Sequence, residues 1–407
     1  MRIQFHRGSA PQRGSLDAVL GFSWTAGVFV SDNAMAATGL TRTTTIDALD
    51  TLISRGLLRE LPNARLAGEY RSGRPARRFE LRADAAVVVG MDAGRAHLTT
   101  TVADLRGTPL ARETVELDVT HDSADERRAA VVAALDSALA AAGAPAADVL
   151  AICVGVPAPV DAAGRSPEHR DDFWRRMNPG LVELLAPRAP IVRIENDASL
   201  AAVAEGAVGA AAGCDDYIVL LAGERFGAGI VVDGNLLRGA HGGSGEMVAL
   251  DHIVGVGTAD GLGTRLTEWV RAAAAAGEIP PGHPLAGLPA EQINGRVVLD
   301  LARAGDEWAR PFATRAGELL ARVAGVFGSL YDPARIIIAG AVAGGFEEVV
   351  RVARERLPHE LDLPSPELVL SDLGNDPVAI GAVSAALEAA RSGVLQTVGP
   401  VATGERA

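Results

Sequence analysis

From Ala85 onward the chain alternates short Val- and Ile-rich stretches with long Ala-rich ones, and that alternation leaves few folds open to it. "AVVVGMDA", "HLTTTVADL" and "LARETVELDV" read as three consecutive strands, a helix follows over about 123–142, and "DVLAICVGVPAPV" returns as a strand. The order recurs more loosely. "YIVLLAG" and "AGIVVDGNLLRG" are strands, helices fill roughly 264–276 and 307–330, "RIIIAGAV" is a strand, and "DPVAIGAVSAALEAARSG" is a closing helix. Two mixed sheets, each opened by a hairpin and covered by helices, predict two α/β lobes with a cleft between them. At 407 residues the chain has room for two or three domains with separate cores. An apolar content of 48% with only 4% aromatics means those cores are built from Ala, Val, Leu and Ile.

The first 84 residues follow a different pattern. "SLDAVLGF" opens a short helix, and Ser31 caps a second one that turns Ala34, Met35 and Ala36 inward. Gly39 breaks that helix, Leu40 plugs the turn, and Thr41 caps a third helix with Ile46, Leu49, Leu52 and Ile53 at helical spacing. Gly56 ends it; "LLREL" and "RRFELR" are strands around the loop "PNARLAGEYRSGRPA". Helix, glycine turn, helix and β-hairpin make a winged helix-turn-helix.

Charge separates the same two regions. Residues 1–84 carry a net +4 and the remainder −17, so only the head suits a polyanion. The first turn of the third helix, Thr41, Arg42, Thr43 and Thr44, is where such a fold meets base edges. Arg42 can take guanine bidentately, while the threonines suit phosphates or a thymine methyl. The wing gathers Arg71, Arg74, Arg77 and Arg78 around Gly73 and Pro75, a loop suited to phosphates or a narrow minor groove. Double-stranded DNA is therefore the expected macromolecular partner. Cys153 and Cys214 sit in apolar runs as buried thiols, which excludes a disulfide framework. No run approaches about 18 consecutive apolar residues, so no membrane span is expected. The start "MRIQFHRGSAPQRG" lacks the apolar core of a secretory leader, and the expected location is the cytoplasm.

"ATGLTRTTTIDALDTLISRGLL", the wing "SGRPARRFEL" and the strand "VVVGMDAG" stand in the order and spacing of the repressor branch of the ROK family, whose members are sugar kinases and sugar-responsive repressors. The chain resembles that family over about 20–390. The resemblance implies a two-lobed, actin-like (ribonuclease H-like) ATPase body behind a winged helix-turn-helix. It divides the chain into a head at 1–84, a first lobe at 85–197 and a second lobe at 198–392. The C-terminal helix is expected to pack back on the first lobe, with a disordered tail at 393–407.

Several family motifs are altered. The first phosphate turn, D-x-G-G-T, is here Asp92-Ala93-Gly94-Arg95-Ala96, with a side chain where the backbone would approach phosphate. The second, resembling G-T-G-I-G-A-G, is Gly223-Glu224-Arg225-Phe226-Gly227-Ala228-Gly229, with a negative charge facing a polyphosphate. Asn196 and Asp197 match the family's sugar-holding Asn and general base, and they also suit a helix cap. Gly245 and Glu246 remain from the sugar loop, but Val248 and Ala249 replace its Gly and His, and the zinc cysteines are absent. Zinc needs about four N or S ligands, which His241 and His252 cannot supply. "GVPAPVD", opened by Gly155, is expected as a backbone turn facing the cleft.

The expectation is thus a transcriptional regulator, a repressor by analogy, with no catalytic residues, no metal and no cofactor. Its head reads DNA through Thr41, Arg42, Thr43, Thr44, Arg71, Arg74, Arg77 and Arg78. A sugar or related effector would lie against Gly155, Asn196, Asp197 and Glu246, and the chain would work as a homodimer or tetramer. Two alternatives stay open on the sequence: an active sugar kinase with a DNA-binding head, and a DNA-binding scaffold that answers to no ligand.

Overall fold

The computed structural model describes residues 14–62, 76–118, 123–168, 172–340 and 345–397. Among them the head comprises helices α1 (Ser15–Ser23), α2 (Ser31–Thr38) and α3 (Arg42–Ser54) and strands β1 (Phe29–Val30), β2 (Leu58–Leu61) and β3 (Arg78–Leu81), paired in the order β1-β3-β2. Val19, Leu20, Ala34, Leu49, Leu52, Leu58 and Phe79 are buried together, so one apolar stripe from each helix meets one face of the small sheet. Two local expectations change. Ser31 is the first residue of α2 rather than its cap; the Val30 N–H instead donates to the side-chain oxygen of Asn33 (3.0 Å). Ala36 faces outward, since α2 is short enough for Ala34 alone to be buried along it.

The body holds two sheets of one topology. The first is formed by β4 (Val87–Ala93), β5 (His97–Asp104), β6 (Pro109–Glu116), β7 (Val149–Val156) and β8 (Ile191–Asn196), in the order β6-β5-β4-β7-β8. Helices α4 (Ala124–Ala142), α5 (Phe173–Met177) and α6 (Leu181–Leu185) pack on it. After β8, α7 (Asp197–Val208) crosses to the second sheet. That sheet has β9 (Tyr217–Leu221), β10 (Gly227–Val232), β11 (Asn235–Leu237), β12 (Arg335–Ala339) and β13 (Glu367–Leu370), in the order β11-β10-β9-β12-β13. Helices α8 (Leu262–Ala275), α9 (Gly295–Arg303), α10 (Arg310–Tyr331) and α11 (Glu347–Arg356) cover its outer side, and α12 (Pro377–Thr397) closes the chain. In each sheet an antiparallel meander is extended by two parallel strands. Parallel strands buried on both faces need no polar alternation, which is why β4, β7 and β9 read as plain apolar runs.

Helix α12 lies between the lobes' inner elements, against β4, β7 and α7. Its seat depends on two glycines. A Cβ at Gly90 would lie 2.4 Å from the backbone nitrogen of Val383, and one at Gly381 would lie 1.9 Å from the carbonyl oxygen of Leu200. By length and composition α12 is apolar enough to cross a membrane, and packing on more than one face accounts for that apolarity here. The helix runs to Thr397, through the first residues of the expected tail, because Val394 is buried and Leu395 packs against the same core. Residues 398–407 lie outside the described ones.

The head is fastened to the body at several points. Arg106, in the β5–β6 turn, donates to the carbonyls of Trp24 (3.3 Å) and Ala26 (2.8 Å). Arg55, after α3, donates to the Leu395 carbonyl at the end of α12 (3.1 Å), and the Arg391 guanidinium sits 5.5 Å from the Trp24 ring centre.

Candidate functional site

On the head, α3 begins as its sequence dictates. The Thr44 N–H donates to Thr41 Oγ1 (3.4 Å), and the two hydroxyls lie 2.9 Å apart. Capping therefore occupies Thr41 and Thr44, leaving Arg42 and Thr43 as the exposed side chains of the first turn and Asp47 exposed one turn on. Gly39 takes the left-handed conformation (φ 72°) that lets α2 end and α3 begin at an angle.

The wing arginines divide. Arg71 and Arg74 lie outside the described residues. Arg78 is half-buried on β3, opposite Val30 and Leu61. Arg77 is exposed but paired: its Nη2 reaches Asp50 of α3 and Glu60 of β2, both at 2.8 Å, and its guanidinium lies 5.1 Å from the Phe79 ring centre. Both carboxylates hold its pKa above the ordinary arginine value. As it stands, Arg77 fixes the wing strand against α3.

In the body, the two hairpins that open the sheets face each other across the cleft. At the end of β4, Asp92 is nearly buried, and His97 Nε2 donates to its carboxylate (3.1 Å). That bond raises the His97 pKa against the opposing cost of burial. The imidazole packs on Gly94 so closely that a Cβ there would lie 2.7 Å from His97 Cε1. Beneath the turn lies a residue that sequence reading passed over. Arg127 of α4 is buried and donates to the carbonyls of Met177 (3.1 Å), Gly94 (3.0 Å) and Ala93. At the second hairpin, the Glu224 carbonyl accepts from the Gly261 N–H (2.9 Å) and Thr264 Oγ1 (2.8 Å), while Arg225 approaches Asp260 at 3.9 Å. Arg95 and Glu224, one from each turn, form an ion pair at 2.7 Å.

Asn196 caps α7: its side-chain oxygen accepts from the Ser199 N–H (3.0 Å) and its amide donates to the Ala158 carbonyl (3.2 Å). Asp197 is half-buried beside it and accepts from the Ala198 N–H (2.7 Å). Burial, reinforced by the charges of Asp92 and Glu246, pushes its carboxyl up to about 7. Those couplings put Asp92, Asp197 and the exposed Glu246 in one electrostatic neighbourhood. Gly155 is placed differently from expectation. It lies within β7, paired with Asp92, and its empty side position is closed by Leu200 and Val378, each 2.8 Å from where a Cβ would stand. The turn begins after Val156 instead, and the glycine serves packing.

Asn178, after α5, is a further buried polar group: its amide donates to the Gly164 carbonyl and Ser166 Oγ (both 3.0 Å), while its side-chain oxygen has no partner among the described residues. Glu195 of β8 and Arg238 after β11 bridge the lobes nearby at 3.0 and 3.2 Å. The stretch expected to have lost its zinc, Met247–Val256, is anchored by burying Met247, Leu250 and Val256 in the second-lobe core. The cleft thus holds a carboxyl raised toward neutrality at Asp197, while an imidazole and an ion pair occupy the hairpins.

Two α/β lobes of repeated topology around a cleft define an actin-like body, here carrying a separate helical head. Residues 88–253 match the ROK family, and the chain carries a ROK-family domain. It is 30% identical over 226 residues to the bifunctional enzyme NanE/NanK of Brucella suis biovar 1 (strain 1330), a match covering 52% of this chain and 39% of that protein. The chain thus spans about two fifths of that relative's length. A crystal structure described as a ROK family transcriptional regulator, homolog of E. coli MLC protein, superposes with a TM-score of 0.73 over 94% of this chain and 97% of its own, at 20% identity. The likeness shows the fold of the actin-like body within a superposition that covers 94% of the chain. A ROK glucokinase from Streptomyces griseus, solved with glucose and AMPPNP, gives a TM-score of 0.62 at 25% identity, covering 74% of this chain and all of that one (100%).

Proposed function

We propose that this chain is a DNA-binding transcriptional regulator whose body senses a sugar or related polyol and transfers no phosphate. The observation that carries the reading is the first turn of α3, where Arg42 and Thr43 stand exposed on a helical head fastened to the body. In a helix-turn-helix that turn enters the major groove. Two copies of the body present two heads to a two-half-site operator, and repression follows from occupancy of that operator. An effector held by Asn196, Asp197 and Glu246 shifts DNA affinity only insofar as it prefers one lobe arrangement. Helix α12 is the element best situated to relay that preference. It is seated on α7 and β4 near the cleft and, about 20 Å further on, its C-terminal turns meet the head through Arg391 and Leu395.

A second reading, sugar kinase, is favoured by one observation: a carboxyl raised to about 7 at Asp197 suits a general base. Against it, a phosphate donor has to enter between hairpins closed by His97 and by the Arg95–Glu224 pair. Selection of duplexes from a random pool, paired with an ATP-turnover assay on hexoses and amino sugars, separates the readings. The regulator reading expects an enriched two-half-site motif, relaxed at one base position in Arg42→Ala, and no turnover. Sugar phosphorylation with no enriched motif would overturn it.

A further inference from the structure

Arg95 and Glu224 stand 129 residues apart in the chain, on different sheets, at the tips of the two hairpins that face each other across the cleft. Each brings a long charged side chain to a turn next to a glycine, Gly94 or Gly223, and the charges are opposite. Neither side chain reaches from a loose support. The turn carrying Arg95 is held from below by Arg127, which takes the carbonyls of Ala93 and Gly94, and from its inner side by His97 on Asp92. The backbone of Glu224 is tied to the start of α8 through Gly261 and Thr264, and the neighbouring Arg225 pairs with Asp260. Two rigid turns thus meet through one ion pair at 2.7 Å.

We propose that Arg95 and Glu224 form an interlobe latch, which holds the hairpin tips together without a nucleotide and adds a bias toward the closed lobes to that of the Glu195–Arg238 bridge. An opening of the lobes separates the hairpin tips and must break the pair, so the latch biases the cleft toward its closed arrangement. A polyanion entering between the tips meets the Glu224 carboxylate and competes with it for Arg95. Both partners are substantially exposed, at 45% and 66% of their side-chain surface. The bias is therefore modest, about two- to five-fold in the opening equilibrium, and salt weakens it. A small bias suits an element that a ligand must be able to override.

Hydrogen exchange on the full chain, read separately for residues 94–97 and 222–226, tests the latch without any DNA or effector. Arg95→Glu is expected to speed exchange about two- to five-fold in the opposite turn, at 222–226, and Glu224→Arg to do the same at 94–97. The double exchange R95E/E224R restores both turns, and about 1 M NaCl brings the parent protein to the level of Arg95→Gln or Glu224→Gln. Should either reversal fail to fold, Arg95→Gln and Glu224→Gln carry the same comparison. Unchanged exchange in the opposite turn, or failure of the double exchange to restore it in folded protein, would overturn the proposal.

Discussion

Asp197 makes the cleft's electrostatics measurable. Burial and the charges of Asp92 and Glu246 raise its carboxyl from an ordinary 3.8 to about 7. Between those two values the folded chain binds a proton that the unfolded chain has already released. The resulting stability is complete below about pH 4 and is lost as pH rises through 7. Worked as free energy, the shift has a ceiling of roughly 4 kcal/mol. Water reaching the half-buried carboxylate reduces the expected loss to about 1–2 kcal/mol. Asp197→Asn removes the titration while keeping a side-chain acceptor for the Ala198 N–H. Melting temperatures recorded from pH 5 to 8 should therefore fall for the parent relative to the variant, by a few degrees at about 2–4 °C per kcal/mol. The variant should be the more stable protein at pH 8 and have weaker effector binding, the exchange expected where a site trades stability for function. Parallel pH profiles for parent and variant would refute this account of the cleft.

The remaining predictions concern the supports. Arg127→Met should destabilise the first lobe by on the order of 3 kcal/mol, seen as a lower denaturation midpoint, because three carbonyls lose a buried donor; an unchanged midpoint would mean that water replaces it. Gly90→Ala puts a methyl against the backbone of α12 and should cost about 1–3 kcal/mol or more in a thermal melt. Arg55→Ala should speed hydrogen exchange in α3 and the last turn of α12 while leaving β4 unchanged, since it releases the bond to Leu395; equal change in β4 would point to global loosening instead.

How far the sequence carried depends on the range of each interaction. Local periodicity was enough for α3, whose Ile46, Leu49, Leu52 and Ile53 pack as their spacing implies, and for Thr41, which caps it. The strands β4, β5, β6 and β7 were legible as apolar or alternating runs between turns. Strands β8 and β13 were passed over, because six and four residues beside polar ends carry little pattern. Arg127 was invisible for a different reason: an arginine in an Ala-rich helix reads as solvent-facing until the turn above it is placed. Gly155 followed a backbone motif to the wrong role, since only packing shows that Leu200 and Val378 fill its side. Arg95 and Glu224 were each readable as a departure from a phosphate turn. That they pair with each other depends on the meeting of two sheets, which no local pattern encodes.

The central claim, that this chain reads DNA through the head carried ahead of its ROK-family domain, is met most directly by fluorescence anisotropy. The full chain is titrated against its selected duplex and against a scrambled duplex of the same length, both at about 150 mM salt. The account predicts binding to the selected duplex at least about 10³-fold tighter than to the scrambled one, with affinity for both falling as salt rises. Equal affinity for the two duplexes, or no binding to either, would contradict it.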